Sequence, residues 1–292
     1  MRPTTHQRAL LAAAVSGVLV GAAIVATRGV IGQSTPAALA LLRYLIGCVC
    51  LAGPVLIAGR TRIAGRDVLP IALLGIGQFG VLIVLLNFGL QRIPAAHGAL
   101  LFASVPLLTL LLAAALGRER LGLLKAGGVL LTLLGVGLTL GESALRTGDR
   151  AATWLGDLAV LASAACAAVC SVLYRPYLQR YPALPVSLLA MLAAALFLAV
   201  LAGAEGSLGG VPHFTPDGWF AVGFIGLSSA VGYVCWLWAL GHTTPTRVTV
   251  FLALSPITAT LLGALLLAEP ISLAAVLGIL TVSAGLWLTS SG

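Results

Sequence analysis

Polar side chains interrupt the apolar runs of this 292-residue chain at only a few places, and those residues are the ones that could do chemistry. Gln78 and Asn87 fall in one run, His97 opens the next, and Ser104 and Thr109 flank Pro106 within it. Ser163 follows, then Ser228, Ser229 and Tyr233, then Thr249, Ser255 and Thr258. Hydroxyl, amide and imidazole groups in apolar surroundings can bind a small molecule by hydrogen bonds. They can equally tie helix to helix, a contact usually worth less than about 1 kcal/mol. For a single Ser or Thr the tying role weighs more. For Gln78, Asn87 and Tyr233 the two roles balance, because larger polar groups are costlier to hide from water.

Tyr233 and Trp236 are three residues apart, so they share one helical face, while Trp238 points elsewhere. An aromatic face can stack an apolar or aromatic group, or a cationic amine. It can also be ordinary packing or an interfacial belt. Arg43 is the only basic residue well inside an apolar run, about 10 Å along a helix that starts near Pro36. It can snorkel to an interface, bond helix-end carbonyls or attract a carboxylate. The residues expected to contact a substrate are Gln78, Asn87, His97, Ser163, Ser229, Tyr233, Trp236 and Thr249. Pro106 and Pro256 each withhold an N–H near mid-helix, which suits a hinge or a static kink.

Catalytic patterns are missing. The chain has no G-x-x-x-x-G-K-[ST] loop, no H-E-x-x-H and no G-x-S-x-G. The cysteines Cys48, Cys50, Cys166, Cys170 and Cys235 match no zinc or redox spacing and read as reduced packing residues. No catalytic residue, metal or cofactor is expected, and a membrane-embedded enzyme is a distant alternative. The acidic residues Asp67, Glu119, Glu142, Asp149, Asp157, Glu205, Asp217 and Glu269 all fall in loops or within a few residues of a run's end. Proton-driven carriers usually bury a carboxylate within the membrane. Transport driven by the substrate's own gradient is therefore expected over proton coupling, for which His97 is the candidate.

These residues must be held by elements suited to lipid. Hydrophobic residues make up 60% of the chain and charged ones 8%, and the mean hydropathy is +1.11. Soluble domains carry about 25% charged residues, so this chain cannot cover itself for water. A bilayer crossing needs about 20 apolar residues. Runs of that length fall at 9–27, 36–58, 68–90, 94–116, 121–141, 154–174, 184–204, 216–240, 245–267 and 271–289, predicting ten transmembrane helices. The first is read as a membrane helix rather than a cleavable leader. The net charge of +8 does not point to nucleic acid, because the basic residues sit between the runs. Arg2, Arg8, Arg60, Arg62, Arg66, Arg118, Arg120, Lys125, Arg175, Arg180 and Arg247 fall on one side, and only Arg28, Arg92, Arg146 and Arg150 on the other. The richer side is expected to be cytoplasmic and to hold both termini.

The chain also repeats. A shift of 150 residues brings Pro106 onto Pro256, Glu119 onto Glu269, Gly128 onto Gly278 and Gly135 onto Gly285. Five helices per copy is an odd number, so the second copy must enter the membrane from the opposite side. Glu119 has arginine on both sides and Glu269 has none, as opposite orientation requires. The expected fold is an all-α integral membrane protein of two inverted five-helix repeats, residues 1–150 and 151–292. Inverted repeats are frequent in secondary transporters, with substrate near the midplane. Gly17 with Gly21 and Gly137 with Gly141 have the spacing of close helix contacts.

Several of these features together resemble the EamA-type branch of the drug/metabolite transporter superfamily. They are Leu42-Arg43-Tyr44, Pro106 followed by Gly117-Arg118-Glu119-Arg120-Leu121, Gly156-Asp157-Leu158, and Pro256 followed by Glu269-Pro270-Ile271 with Gly278 and Gly285. The resemblance implies an inner-membrane permease for small metabolites, with amino-acid exporters the nearest type. It also implies that helices 1, 3, 4, 6, 8 and 9 surround the cavity. The implied partners are a small-molecule substrate and the lipid bilayer. A proton-coupled drug or nucleoside exporter is the alternative, and the oligomeric state is unassigned.

Overall fold

A computed structural model of the chain describes residues 5–57, 63–117, 122–145, 150–207 and 214–291. The described residues form helices and no strand. In order they are α1 (Thr5–Val30), which ends in a 3-10 turn at Ile31–Gln33, α2 (Pro36–Ile57), α3 (Gly65–Leu90) and α4 (Ala95–Ala115). Then come α5 (Leu123–Leu145), α6 (Arg150–Leu178), α7 (Ala183–Ala204), α8 (Pro216–His242), α9 (Pro245–Leu267) and α10 (Leu273–Ser291). Among the described residues, α1 to α4 and α6 to α9 contain stretches long and apolar enough to cross a membrane, eight in all. Their outward faces carry exposed Leu56, Leu196, Val200, Phe220 and Leu265. Such a surface suits hydrocarbon and not water.

Three helices are interrupted. A π-helical turn occupies Ile76–Val81 in α3. In α4 the chain leaves the helix after Phe102 and resumes at Val105. In α9 a 3-10 turn at Phe251–Ala253 takes the same place, 150 residues on. Pro106 and Pro256 each follow the break closely. Neither can donate an N–H to the carbonyl four residues back, Phe102 or Leu252.

The helices pair in a pattern that the 150-residue shift preserves. α1 packs on α8, as α3 packs on α6; α1 packs on α9, as α4 packs on α6; α2 packs on α8, as α3 packs on α7. α2 with α7 and α5 with α10 pair across the shift with each other. Glycine permits the tightest of these contacts. A Cβ on Gly17 would lie 2.2 Å from the Phe251 carbonyl oxygen, and one on Gly21 2.5 Å from that of Ser255, so α1 and α9 touch backbone to backbone. Between α5 and α10, a Cβ on Gly135 would lie 3.0 Å from the Gly278 carbonyl oxygen, and one on Gly285 2.6 Å from that of Gly128. The shift exchanges these two contacts. Gly137 does not pack as its spacing predicts, because its α-carbon faces open space. The neighbouring Gly135 takes that role, one residue pair out of register.

Loop carboxylates tie the helix ends together. Both oxygens of Glu269 accept from the Ala95 N–H at 3.1 Å, at the start of α4, and Arg28 Nε lies 3.8 Å away. Glu205 Oε2 accepts from the Ala37 N–H at 3.3 Å, at the start of α2. A carboxylate at a helix N-terminus meets unsatisfied donors and the positive end of the dipole. Tyr181 donates to Asp67 Oδ2 at 2.7 Å, joining the end of α6 to the start of α3. Glu119, Arg118 and Arg120 lie outside the described residues. From the glycine contacts, Gly21→Leu is expected to cost about 1–3 kcal/mol by overpacking, and Gly137→Leu less than about 0.5 kcal/mol. Midpoints of thermal unfolding in detergent, measured side by side, check this; equal midpoints would contradict the close α1–α9 contact.

Candidate functional site

The inner faces of the helices leave a narrow cavity of about 30 Å³, partly open to solvent. α1 lines it along one stripe with Ser16, Val20, Ala23, Ile24 and Thr27, the i, i+4, i+7 spacing of a single helical face. α3 contributes Gln78, Leu82, Ile83 and Leu86; α8 adds Tyr233 and Trp236; Phe102, Ala167 and Leu252 come from α4, α6 and α9. Those six helices are the ones the family resemblance implies. A seventh, α2, reaches in through Arg43. A smaller space of about 10 Å³ adjoins it, sharing Arg43 and Tyr233 and adding Ser228 and Ser229.

Arg43 is 6% exposed and does not snorkel. Its Nε donates to Ser229 Oγ at 2.5 Å, and Ser229 in turn donates to the Ile225 carbonyl at 2.6 Å. The guanidinium carbon lies 5.7 Å from the Tyr44 ring centroid and 6.0 Å from that of Tyr233, within cation–π range. Tyr44 and Tyr233 join through their hydroxyls at 3.3 Å. Phe79 closes the cluster, edge-on to Tyr233 at 4.5 Å and 5.4 Å from Tyr44. One wall of the cavity is therefore a guanidinium held by a serine and braced by three aromatic rings from α2, α3 and α8.

Gln78 sits inside the π-helical turn, is 5% exposed and lines the cavity. Its Oε1 has no hydrogen-bond partner among the described residues. A π-turn carries an extra residue and swings a side chain out of helical register, which is why such turns recur at functional sites. Thiols brace this one: Cys166 donates to the Gly77 carbonyl at 3.3 Å, and Cys170 reaches the Leu74 carbonyl at 3.9 Å. The described cysteines are all free thiols.

The other predicted contact residues divide. Tyr233 and Trp236 line the main cavity, and Ser229 lines the smaller space while holding Arg43. Asn87 is buried away from both, its Nδ2 donating to the Pro36 carbonyl at 3.0 Å across to the start of α2. Ser163 donates to the Val160 carbonyl at 2.7 Å and Thr249 to that of Thr246 at 3.1 Å, both within their own helices. His97 is buried, and its Nε2 lies 2.9 Å from Oδ1 of Asp157, which is 0% exposed. Asp157 lies near the end of its apolar run, where the sequence puts it, yet it faces protein. Its Oδ2 is unpartnered among the described residues.

A chain whose described residues are all helical or in connecting turns, with an apolar exterior and a mixed polar and aromatic cavity between its helices, is a multi-pass membrane protein. The EamA-like transporter family matches it twice, over residues 7–141 and 154–291, and the chain belongs to that family. It is thus a membrane transporter. Among its relatives, an uncharacterised transporter of Archaeoglobus fulgidus is 28% identical over 267 residues, 87% of this chain and 88% of that one. A probable terminal-alkyne amino-acid exporter of Streptantibioticus cattleyicolor is 31% identical over 224 residues, 75% of this chain and 72% of that one. One solved crystal structure superposes with a TM-score of 0.75 over 97% of this chain and 98% of that one at 23% identity, a likeness of fold alone.

Sequence spacing alone did not reveal Phe79 or Tyr44 as cavity bracing, since each reads as one more apolar-run aromatic. The α1 stripe was missed as well, since Val20 and Ile24 read as ordinary apolar residues and Ser16 and Thr27 stand eleven residues apart. Because His97 and Asp157 are both buried, Asp157→Ala leaves a polar atom without its partner and is expected to cost about 1–3 kcal/mol. The losses from His97→Ala and Asp157→Ala should be less than additive in the double variant. Additive shifts in unfolding midpoint would show that the two do not act as a pair.

Proposed function

We propose that the protein is a secondary permease of the inner membrane. It exports or exchanges small metabolites, amino acids among them, by alternating access. Ten transmembrane helices form two inverted halves, residues 1–150 and 151–292, with both termini cytoplasmic. The observation that carries this reading is the cavity, whose lining comes from α1 to α4 of one half and from α6, α8 and α9 of the other. Helix pairings that survive the 150-residue shift, and a family match that falls once in each half, support the repeat. The excess of Lys and Arg on one side supports the orientation. The amino-acid cargo draws support from the relative described as an amino-acid exporter.

The substrate contacts proposed from the cavity are Gln78, Tyr233 and Trp236, with Ser229 behind them. Asn87, His97, Ser163 and Thr249 act at a distance, by fixing helix positions. Breaks in α4 and α9 at equivalent places make Pro106 and Pro256 the proposed hinges of a rocking motion. The cavity lining includes no carboxylate among the described residues, which favours flux down the substrate's own gradient, or exchange. The buried His97–Asp157 pair favours a second reading, a proton-coupled cycle, because a buried pair of titratable groups can exchange a proton as its surroundings change.

Counterflow of labelled phenylalanine and leucine in proteoliposomes tests the permease reading, and accumulation in preloaded vesicles is the expected result. An imposed pH gradient is expected to change the initial rate less than twofold; strong dependence, abolished in Asp157→Asn, would establish the coupled cycle instead. Pro106→Ala and Pro256→Ala are each expected to slow counterflow severalfold at unchanged expression. Unchanged rates in both would dispose of the hinges.

A further inference from the structure

We propose that Arg43 is an anion subsite that binds the substrate's carboxylate, and that the cargo class is α-amino acids with apolar or aromatic side chains. The inference rests on the permease reading and narrows it. A cation taken out of water needs a counter-charge, and leaving it unpaired is costly. The other buried carboxylate and imidazole side chains among the described residues have partners: Asp67 has Tyr181 and Arg180, and His97 and Asp157 have each other. Arg43 is 6% exposed, and no described carboxylate makes an ion pair with it. Its polar partner is a neutral hydroxyl, which orients the group without cancelling its charge. The aromatic rings around it lower the cost of burial in the empty state and leave the charge in place.

The geometry leaves the right edge of the group available. Ser229 uses Nε, so the two terminal nitrogens form a fork that fits a carboxylate with two parallel hydrogen bonds. Arg43 is the single basic side chain in the lining of either space. One positive charge balances a carboxylate and falls short of a phosphate dianion. Gln78 supplies the second recognition element. Its unpartnered Oε1 is a buried acceptor in the same cavity, and an α-ammonium group is a donor that would satisfy it. The remaining lining, Leu82, Ile83, Leu86, Phe102 and Trp236, is apolar and takes the side chain. Nucleosides and uncharged drugs offer nothing to the fork, and simple amines would meet repulsion from it.

The test is competition against labelled phenylalanine counterflow in proteoliposomes of the full chain. Competitors are phenylalanine, its amide, its methyl ester, phenethylamine, 3-phenylpropionate and phosphoserine. Phenylalanine should compete at least tenfold better than the amide, ester and amine, which lack the carboxylate. 3-Phenylpropionate, lacking the ammonium group, should fall between. Arg43→Gln should lose the discrimination between acid and amide along with most of the rate, and Arg43→Lys should recover part of both. Gln78→Leu should bring 3-phenylpropionate level with phenylalanine. Because the competitor series runs on the unaltered protein, it stands even if an Arg43 variant fails to fold. Amide and ester competing as well as the acid would overturn the carboxylate subsite while leaving the permease intact. So would phosphoserine competing best. If phenylalanine itself gave no counterflow, binding of the same panel to detergent-solubilised protein decides the subsite separately: acid-selective binding upholds it, and indifference to the carboxylate removes it.

Discussion

A polar atom carried into hydrocarbon finds no water to bond, so it must meet protein or open onto a cavity. Several polar groups of this chain obey the first clause in the least adventurous way. Ser163, Ser171, Ser228, Thr249 and Thr258 each bond a carbonyl of their own helix. Others bridge helix ends, as Asn87 does at Pro36 and Glu269 at Ala95. At the cavity, Gln78 keeps an unpartnered oxygen and Arg43 makes no ion pair with a described carboxylate. Unpartnered polar atoms also lie away from the cavity, among them Asn87 Oδ1, Ser104 Oγ and Asp157 Oδ2, so what sets the site apart is a buried positive charge beside a buried acceptor.

Lipid also removes the usual force between helices, since a leucine face gains little by leaving hydrocarbon for another leucine face. Cohesion then depends on how near the backbones come. At Gly17, Gly21, Gly75 and Gly285 there is no room for even a methyl group against the facing backbone. These contacts lie between helices of residues 1–150 and helices of residues 151–292, as between α1 and α9 or α5 and α10. The proposed alternation of access would place its sliding joints here.

Much of the fold was legible because hydropathy and run length carry it. The apolar runs mark the helices, and the 150-residue offset anticipates equivalent breaks before Pro106 and Pro256. The site was less legible, for reasons of register. Asn87 and Ser163 have the polarity of ligand contacts, but their helical phase turns them toward neighbouring backbone. Gln78 enters the cavity through a π-turn whose signature in sequence is no more than glycines at 75, 77 and 80. Gly137 has the right spacing and faces open space, since spacing fixes a face and says nothing of which partner that face meets. Asp157 reads as a helix-end charge; only packing against α4 makes it a buried partner of His97.

Burial of Arg43 bears on energetics as well as recognition. Closing an empty cavity around an unpaired cation removes its remaining hydration, a cost of several kcal/mol, and about 1.4 kcal/mol is tenfold in rate. With the proposed carboxylate on the fork the guanidinium is neutralised, and the loaded cavity closes without that cost. In the proposed cycle the loaded carrier would then reorient readily and the empty one slowly, which favours exchange over net flux. A single uncompensated charge in the binding site can thus link transport to the presence of cargo on both sides of the membrane, with neither a nucleotide nor a co-transported ion.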